Sequence, residues 1–201
     1  MFRLTAPSER EIAARIAFAS TEPLPDIGTS PGSDGRIRNY RCDDIEHCLG
    51  RGDVAFDAAC DALCVWKHYD QPWIRVRPQP PVLKVGTTFA VAAHTYGLWS
   101  LNTCRVFDVI DEPGPVRQFG FAYRTLTHHV ERGDARFWIE QRTADDSVWL
   151  CIHTISRLHH PLTRLLSPLG RRAQRRALRG AIEAIQSAVD RAASPDVVSD
   201  R

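Results

Sequence analysis

The chain has 201 residues, 43% of them hydrophobic and 25% charged, with a formal net charge of +2. A chain of this size buries about 70% of its unfolded surface, so we expect one globular domain with a sizeable core. The small net charge argues against a protein that nucleic acid attracts through a strong overall field. Its apolar runs are too short to predict membrane insertion, and its charged N-terminus differs from a secretory signal.

The first predicted element is a helix beginning after Ser8, because Ser8 and Glu11 have the spacing of a capping box. Repeated proline and glycine residues then predict a loop. We interpret residues 1–39 as an N-terminal helix and wrapping arm, residues 40–193 as the core, and residues 194–201 as a disordered tail of the same domain.

A second helix is predicted from Asp53, and it places Cys60 and Cys64 on its mostly apolar face. We interpret both as small buried hydrophobic residues. The other metal-capable residues nearby lack the spacing of a zinc site. The sequence therefore predicts neither metal nor cofactor, and its six cysteines, without a CxxC pair, indicate free thiols in a reducing cytoplasm.

From residue 73 the hydrophobic period changes to that of strands. About six strands are predicted, at Trp73–Arg77, Thr87–Thr95, Ser100–Ile110, Gln118–Thr127, Ala135–Thr143 and Ser147–Arg157. The connections are too short for crossover helices, so neighbouring strands should pair antiparallel. Such a sheet twists and curves, and its concave apolar face needs a cover.

The cover is a long C-terminal helix predicted from Ser167 to about Ala193. Its apolar stripe consists largely of alanine, which fills little space, so a pocket between helix and sheet is expected; close packing without a cavity is the alternative. Its arginine-rich side, RRAQRRALR, is interpreted as a solvated face rather than a nucleic-acid or membrane surface. The expected fold class is α+β, with N-terminal helices and a curved antiparallel sheet gripping the C-terminal helix.

Three stretches, GLWSLNTCRVFDVIDE, FGFAYRTLTHHVERGDARF and PLGRRAQRR, resemble the uncharacterised protein family 0548, a domain of unknown function. The likeness extends from about Tyr40 to Ala188. It implies a START-like helix-grip fold, whose members hold apolar ligands between sheet and helix, but function by fold analogy remains an expectation. Arg124 and Ala135 depart from the family pattern, and if the acid usual at position 135 had a chemical role, this chain has lost it.

Strand alternation puts Phe119, Phe121, Tyr123 and Thr125 on one face, where they would form a pocket wall of rings and hydroxyls. Arg124 then points outward. A buried tyrosine needs a hydrogen-bond partner, which a ligand or a polar neighbour can provide.

His128 and Glu131 follow this strand and lead into a turn predicted at Gly133. As a histidine–carboxylate pair they could transfer protons together with Tyr123; as hairpin residues they would only satisfy backbone groups.

Further ligand-binding candidates are Asn102 and Trp99, both within the GLWSLN motif, and Arg157 at the end of the last strand. Asn102 could orient a ligand, since a buried amide must be hydrogen-bonded. Arg157 could meet a ligand acid group or form an ion pair with Glu131.

Three functions follow from these patterns. The first is binding of a small, mostly apolar molecule. The second is a metal-independent cyclase, lyase or isomerase that uses Tyr123, His128 and Glu131 in the same cavity. The third is a protein–protein interaction domain with a solid interior. The motifs specify neither the ligand nor the oligomeric state.

Overall fold

The computed structural model of the protein describes residues 2–26, 40–127, 129–158 and 167–194. Its elements are β1 (Phe2–Arg3), α1 (Glu9–Ser20), β2 (Arg41–Arg51), α2 (Gly52–Cys64), a 3-10 turn (Lys67–Tyr69), β3 (Ile74–Arg77), β4 (Thr88–Thr95), β5 (Leu98–Glu112), β6 (Val116–Thr125), β7 (Glu131–Arg142), β8 (Ser147–Leu158) and α3 (Ser167–Ala193). The predicted α+β architecture, a curved antiparallel sheet with a long C-terminal helix, is confirmed as a helix-grip fold.

The described strands form one eight-stranded antiparallel sheet in the order β2-β8-β7-β6-β5-β4-β3, with β1 paired to β5. Strands β3 to β8 follow one another as a meander, as their short connections predict. β5 pairs with β4 along its first half and with β6 along its second. A register shift between Val106 and Asp108 interrupts the β5–β6 ladder, and such irregularities increase the bend of a sheet.

The sheet has more strands than predicted because the sequence patterns did not predict β1 and β2. β2 contains three acidic residues, which obscure its hydrophobic pattern, yet Ile45 pairs with Ile152 of β8 and Leu49 is buried. β2 lies at the edge of the sheet, where charged side chains reach solvent and discourage further strand pairing.

The predicted turn at Gly133 is wrong, because Gly133 lies inside β7 and pairs with Ser156 of β8. A side chain at this position would collide with the backbone of Ile155. Glycine is therefore required by the close approach of two strands rather than by a chain reversal. As a consequence, Glu131 opens a strand instead of a hairpin connection.

Both predicted helix starts that carry capping signals are observed. Ser8 Oγ accepts from the Glu11 backbone N–H at 3.3 Å, and Glu11 Oε2 accepts from the Ser8 backbone N–H at 2.7 Å, completing the capping box of α1. α3 begins at Ser167 and ends at Ala193, as predicted. Within the described residues no helix combines the length and apolar character needed to cross a membrane.

The two halves of α3 are packed differently. In the second half, Ala181, Ile185 and Val189 are buried in the core and face α2 and the sheet. In the first half, Leu169 is exposed, and the residues between it and Ala177 are at most half-buried. The helix therefore seals one end of the sheet tightly and leaves the other end open.

The centre of the grip is filled by rings that we call the aromatic cluster. Its members are Trp66, His68, Tyr69, Phe89, Phe121, Tyr123 and Phe137. Trp66 has a left-handed backbone, with φ of 60°, and its ring centroid lies 4.6 Å from those of both Phe89 and Phe121. The turn after α2 thus inserts side chains into the space in front of β6.

α1 is held on the outer side of the sheet by Arg105 of β5. The guanidinium donates to the backbone carbonyls of Ala19 at 2.5 Å and Glu22 at 2.8 Å, and to Thr88 Oγ1 at 3.0 Å. A cation at the C-terminal end of a helix satisfies its free carbonyls and complements the helix dipole. Most of the predicted arm, at 27–39, and tail, at 195–201, lies outside the described residues.

Candidate ligand-binding cavity

A cavity of about 450 Å³ lies between strands β3 to β5 and the first half of α3. Its apolar wall includes Tyr69, Trp73, Ile74, Val91, Ala93, Leu98, Leu169, Ala173 and Ala177. Its polar lining includes Ser100, Asn102, His129, Glu131 and Gln174. The volume falls in the range of small-molecule sites. Two alanines of the predicted small-residue stripe face this space, where larger side chains would fill it.

The rim of the cavity joins the β4–β5 hairpin to the start of α3. Tyr96 and Gly97 form the two-residue turn, with φ of 52° and 79°, as expected for the turn type that matches strand twist. The Tyr96 hydroxyl donates to the backbone carbonyl of Leu169 at 3.3 Å. Tyr96 is exposed on its outer side, so the rim borders solvent.

Glu131 is the acidic residue of the cavity. Its Oε2 accepts a hydrogen bond from Gln174 Nε2 of α3 at 2.7 Å, and the same nitrogen donates to Ser156 Oγ at 3.1 Å. Burial raises the pKa of Glu131 to about 7, although the Gln174 bond and the positive charge of Arg171 act in the opposite direction. Near neutral pH this carboxyl therefore exists in both protonation states.

His129 precedes Glu131 and shares the cavity with it. The Glu131 backbone N–H donates to His129 Nδ1 at 3.0 Å, so Nδ1 is the unprotonated nitrogen and Nε2 carries the hydrogen of the neutral ring. Burial lowers the pKa of His129 to about 4. At neutral pH the imidazole is an uncharged donor rather than a cation.

Asn102 is 5% exposed and its amide is fully oriented by neighbours. Nδ2 donates to Ser100 Oγ at 3.0 Å, and Oδ1 accepts from the backbone N–H of Val130 at 3.3 Å. These bonds connect β5 to the segment before β7. They hold His129 and Glu131 at the cavity wall.

Tyr69 is the member of the aromatic cluster that lines the cavity. Its hydroxyl donates to the Tyr123 hydroxyl at 2.7 Å, and its ring stacks on Trp66 with centroids 6.0 Å apart. Burial raises the pKa of both tyrosines well above the usual value, so both remain protonated. Tyr123 therefore reaches the cavity through Tyr69 rather than by lining it.

Two of the residues singled out from the sequence, Asn102 and Glu131, line the cavity. Phe121 is fully buried and Phe119 packs on the core. Thr125 is occupied as a hydrogen-bond acceptor for the Gly133 backbone N–H at 3.0 Å. The sequence predicted an open pocket in front of β6. Trp66 and His68 of the aromatic cluster fill that space.

The remaining candidates lie away from the cavity or outside the described residues. Trp99 is on the opposite face of β5 and stacks on His94, with ring centroids 4.8 Å apart. The Arg157 guanidinium lies 5.0 Å from the ring centroid of Tyr40 instead of pairing with Glu131. His128 is not among the described residues.

Sequence reasoning did not single out Tyr69 or Gln174. Gln174 carried a usable signal, since it is the neutral polar residue of the arginine-rich stretch and lies on the same helix face as Ala177. Tyr69 carried none, because it belongs to a turn whose insertion depends on tertiary packing. In the described part of the chain, His, Cys, Asp and Glu side chains do not gather in groups of three or more that could hold a metal ion.

Fold and site together define a helix-grip protein with an apolar cavity that carries one half-buried acid. The chain belongs to the family of the domain of unknown function DUF1990, whose model matches residues 24–184. A UPF0548 protein from Deinococcus radiodurans is 33% identical over 193 residues, covering 89% of this chain and 94% of that protein. A UPF0548 protein from Dictyostelium discoideum is 34% identical over 153 residues, covering 70% of each. The resemblance inferred from the three sequence stretches is confirmed.

Solved structures of similar shape are much more distant in sequence. The hypothetical protein jhp0584 from Helicobacter pylori is 11% identical with a TM-score of 0.49, covering 74% of this chain and 86% of that one. The Zhui aromatase/cyclase from Streptomyces is 14% identical with a TM-score of 0.47, covering 77% of this chain and 98% of that one. At these values the matches describe shape and carry no conclusion about ligand or reaction.

Proposed function

We propose that the protein binds a small, mostly apolar molecule in the cavity between β3–β5 and the first half of α3. The observation that carries this proposal is the cavity itself, with about 450 Å³ of space, a largely apolar wall and a small group of polar side chains. An interior space of this kind favours ligand binding over the alternative of an interaction domain with a solid interior. Six free cysteines, three of them exposed, support a reducing compartment such as the cytoplasm.

The test is to fill the cavity from α3. Ala173→Trp should abolish binding of Nile red, an uncharged apolar fluorophore, because the indole would occupy the space beside Gln174. Ala192→Trp is the matched control, since Ala192 is exposed near the end of the same helix. Native mass spectrometry of the purified protein would show any molecule that co-purifies. Equal Nile red binding by both variants, with circular dichroism unchanged, would refute the proposed location.

The protonation of Glu131 favours a second candidate, an enzyme that transfers protons without a bound metal. A carboxyl group with a pKa near 7 is suited to general acid–base chemistry, which contributes about 10² to 10⁴ in rate. Tyr123 would act through the Tyr69 hydroxyl, and His128 remains a predicted participant. Glu131→Gln should then abolish turnover of a co-purifying molecule and spare its binding, whereas unchanged turnover would exclude this role.

A further inference from the structure

The polar side chains that line the cavity are unbalanced in charge. Glu131 lies in a largely apolar wall and receives one hydrogen bond, from the neutral amide of Gln174. Among the described residues, no cation comes within ion-pair distance of its carboxyl group. A buried carboxylate without a cationic partner is costly, and burial accordingly raises the pKa of Glu131 to about 7.

The groups facing Glu131 come from every element around it. His129 precedes β7 and is neutral; Tyr123 of β6 and Cys104 of β5 are also neutral, because burial raises the pKa of both. The positive charge of Arg171 on α3 lowers the pKa of Glu131, but no ion pair joins the two within the described part of the chain. The cavity thus offers a ligand one carboxyl group that is not paired with a cation of the described residues.

Two further polar groups of the cavity already have partners in the protein. Both ends of the Asn102 amide have partners in the protein, and His129 Nδ1 is occupied by a backbone N–H. Glu131 Oε1 and the Nε2–H of His129 have no partner among the described residues and are open to a ligand. A ligand carboxylate at this place would meet a like charge, whereas a ligand ammonium would meet its complement.

We propose that the cavity selects apolar molecules that carry a basic nitrogen, with the ligand ammonium bound to the Glu131 carboxylate. This inference rests on the proposed function and names its ligand class. In the complex the nitrogen holds the proton and Glu131 is ionised, so affinity increases as the pH rises through neutrality and decreases once the free amine loses its proton. The ion pair forms in a site of low polarity, where a charged hydrogen bond contributes most.

Three probes of equal chain length separate the charge from the apolar contribution. Decylamine, decanol and decanoic acid would be titrated by calorimetry against the wild-type protein, Glu131→Gln and Glu183→Gln. Glu183 is the matched control, because it is exposed on α3 and does not line this cavity. Wild type and Glu183→Gln should bind decylamine at least about tenfold more tightly than decanol. In Glu131→Gln this preference should disappear, and decanoic acid should bind more tightly than it does to wild type.

The outcomes distinguish this inference from the proposed function. If decanol binds and decylamine binds no more tightly, or if Glu131→Gln keeps the amine preference, the selection for a basic nitrogen is refuted while the cavity function stands. If none of the three probes binds, both are refuted. Should Glu131→Gln fail to fold, the pH dependence in wild type decides: the amine-to-alcohol affinity ratio must increase from pH 6 to pH 8, and a constant ratio refutes the proposal.

Discussion

Replacing His68 by leucine should stabilise the protein, and the gain should be larger in acid. His68 is 1% exposed, and neither ring nitrogen has a hydrogen-bond partner among the described residues. Burial lowers the pKa of His68 to about 3, whereas an unfolded histidine titrates near 6.5. Between these values the unfolded state binds more protons, so stability is lost as the pH falls. For one such group the loss is about 2 kcal/mol between pH 8 and pH 5.

The gain at pH 8 follows from two opposing terms. Leucine has nearly the volume of histidine and leaves no buried polar atom unpaired, which is worth about 1–3 kcal/mol. The substitution also removes ring contacts with Tyr69 and Phe137, whose centroids lie 4.5 Å and 4.8 Å from that of His68; such contacts are worth about 1 kcal/mol. We therefore expect a net gain of about 1 kcal/mol at pH 8 and about 3 kcal/mol at pH 5.

Urea unfolding followed by tryptophan fluorescence measures both values. Wild type, His68→Leu and the control His94→Leu would be compared at pH 8 and pH 5, with equal m-values required for the comparison. His94→Leu is the control because it removes an exposed imidazole, which stacks on Trp99 outside the core. If the effect of His68→Leu were the same at both pH values, or destabilising at both, the imidazole would be hydrogen-bonded in solution and the reasoning would be wrong.

Three further perturbations test other parts of the structure. The pKa of Glu131 is about 7 in the folded state and 4.5 in the unfolded state, so wild-type stability falls as the pH rises through that interval. Glu131→Gln removes this loss, and its effect on the free energy of unfolding should be up to about 2 kcal/mol more favourable at pH 8 than at pH 5. Urea titrations at the two pH values check this. Gly120→Ala should cost at least about 2 kcal/mol, since the new Cβ would lie 2.5 Å from Trp138 Cα, and a thermal melt at or above the wild-type midpoint would contradict it. Arg105→Ala should loosen α1, so that hydrogen exchange becomes faster in residues 9–22 and stays unchanged in β7. An equal change of the exchange rates in both segments would contradict the role of Arg105 in holding α1.

Local signals in the sequence predict much of the fold. The capping box at Ser8, the start of α3 at Ser167 and the succession of antiparallel strands each depend on short-range residue patterns, and all are observed. β2 was missed because an edge strand tolerates charges that mask its alternation. Gly133 was misread because close strand contact and chain reversal both select glycine, and the sequence alone does not distinguish them.

The strands that line the cavity are the part that the sequence did not predict. Alternation correctly grouped the rings of Phe121 and Tyr123 on the inner face of β6, but which side chains oppose them depends on a distant segment. Trp66 occupies that space only because its backbone adopts a left-handed conformation that turns the chain inward after α2. Asn102 was singled out because it is a polar residue within an apolar strand, and Glu131 because it follows a strand together with a histidine; both line the cavity.

The turn that carries Trp66 and Tyr69 limits the size of the cavity. These residues belong neither to the sheet nor to α3. A smaller side chain in place of Tyr69 would lengthen the cavity towards Trp66 and the Tyr123 hydroxyl. At this end, the length of the cavity is thus set by a side chain of the turn rather than by the sheet or by α3.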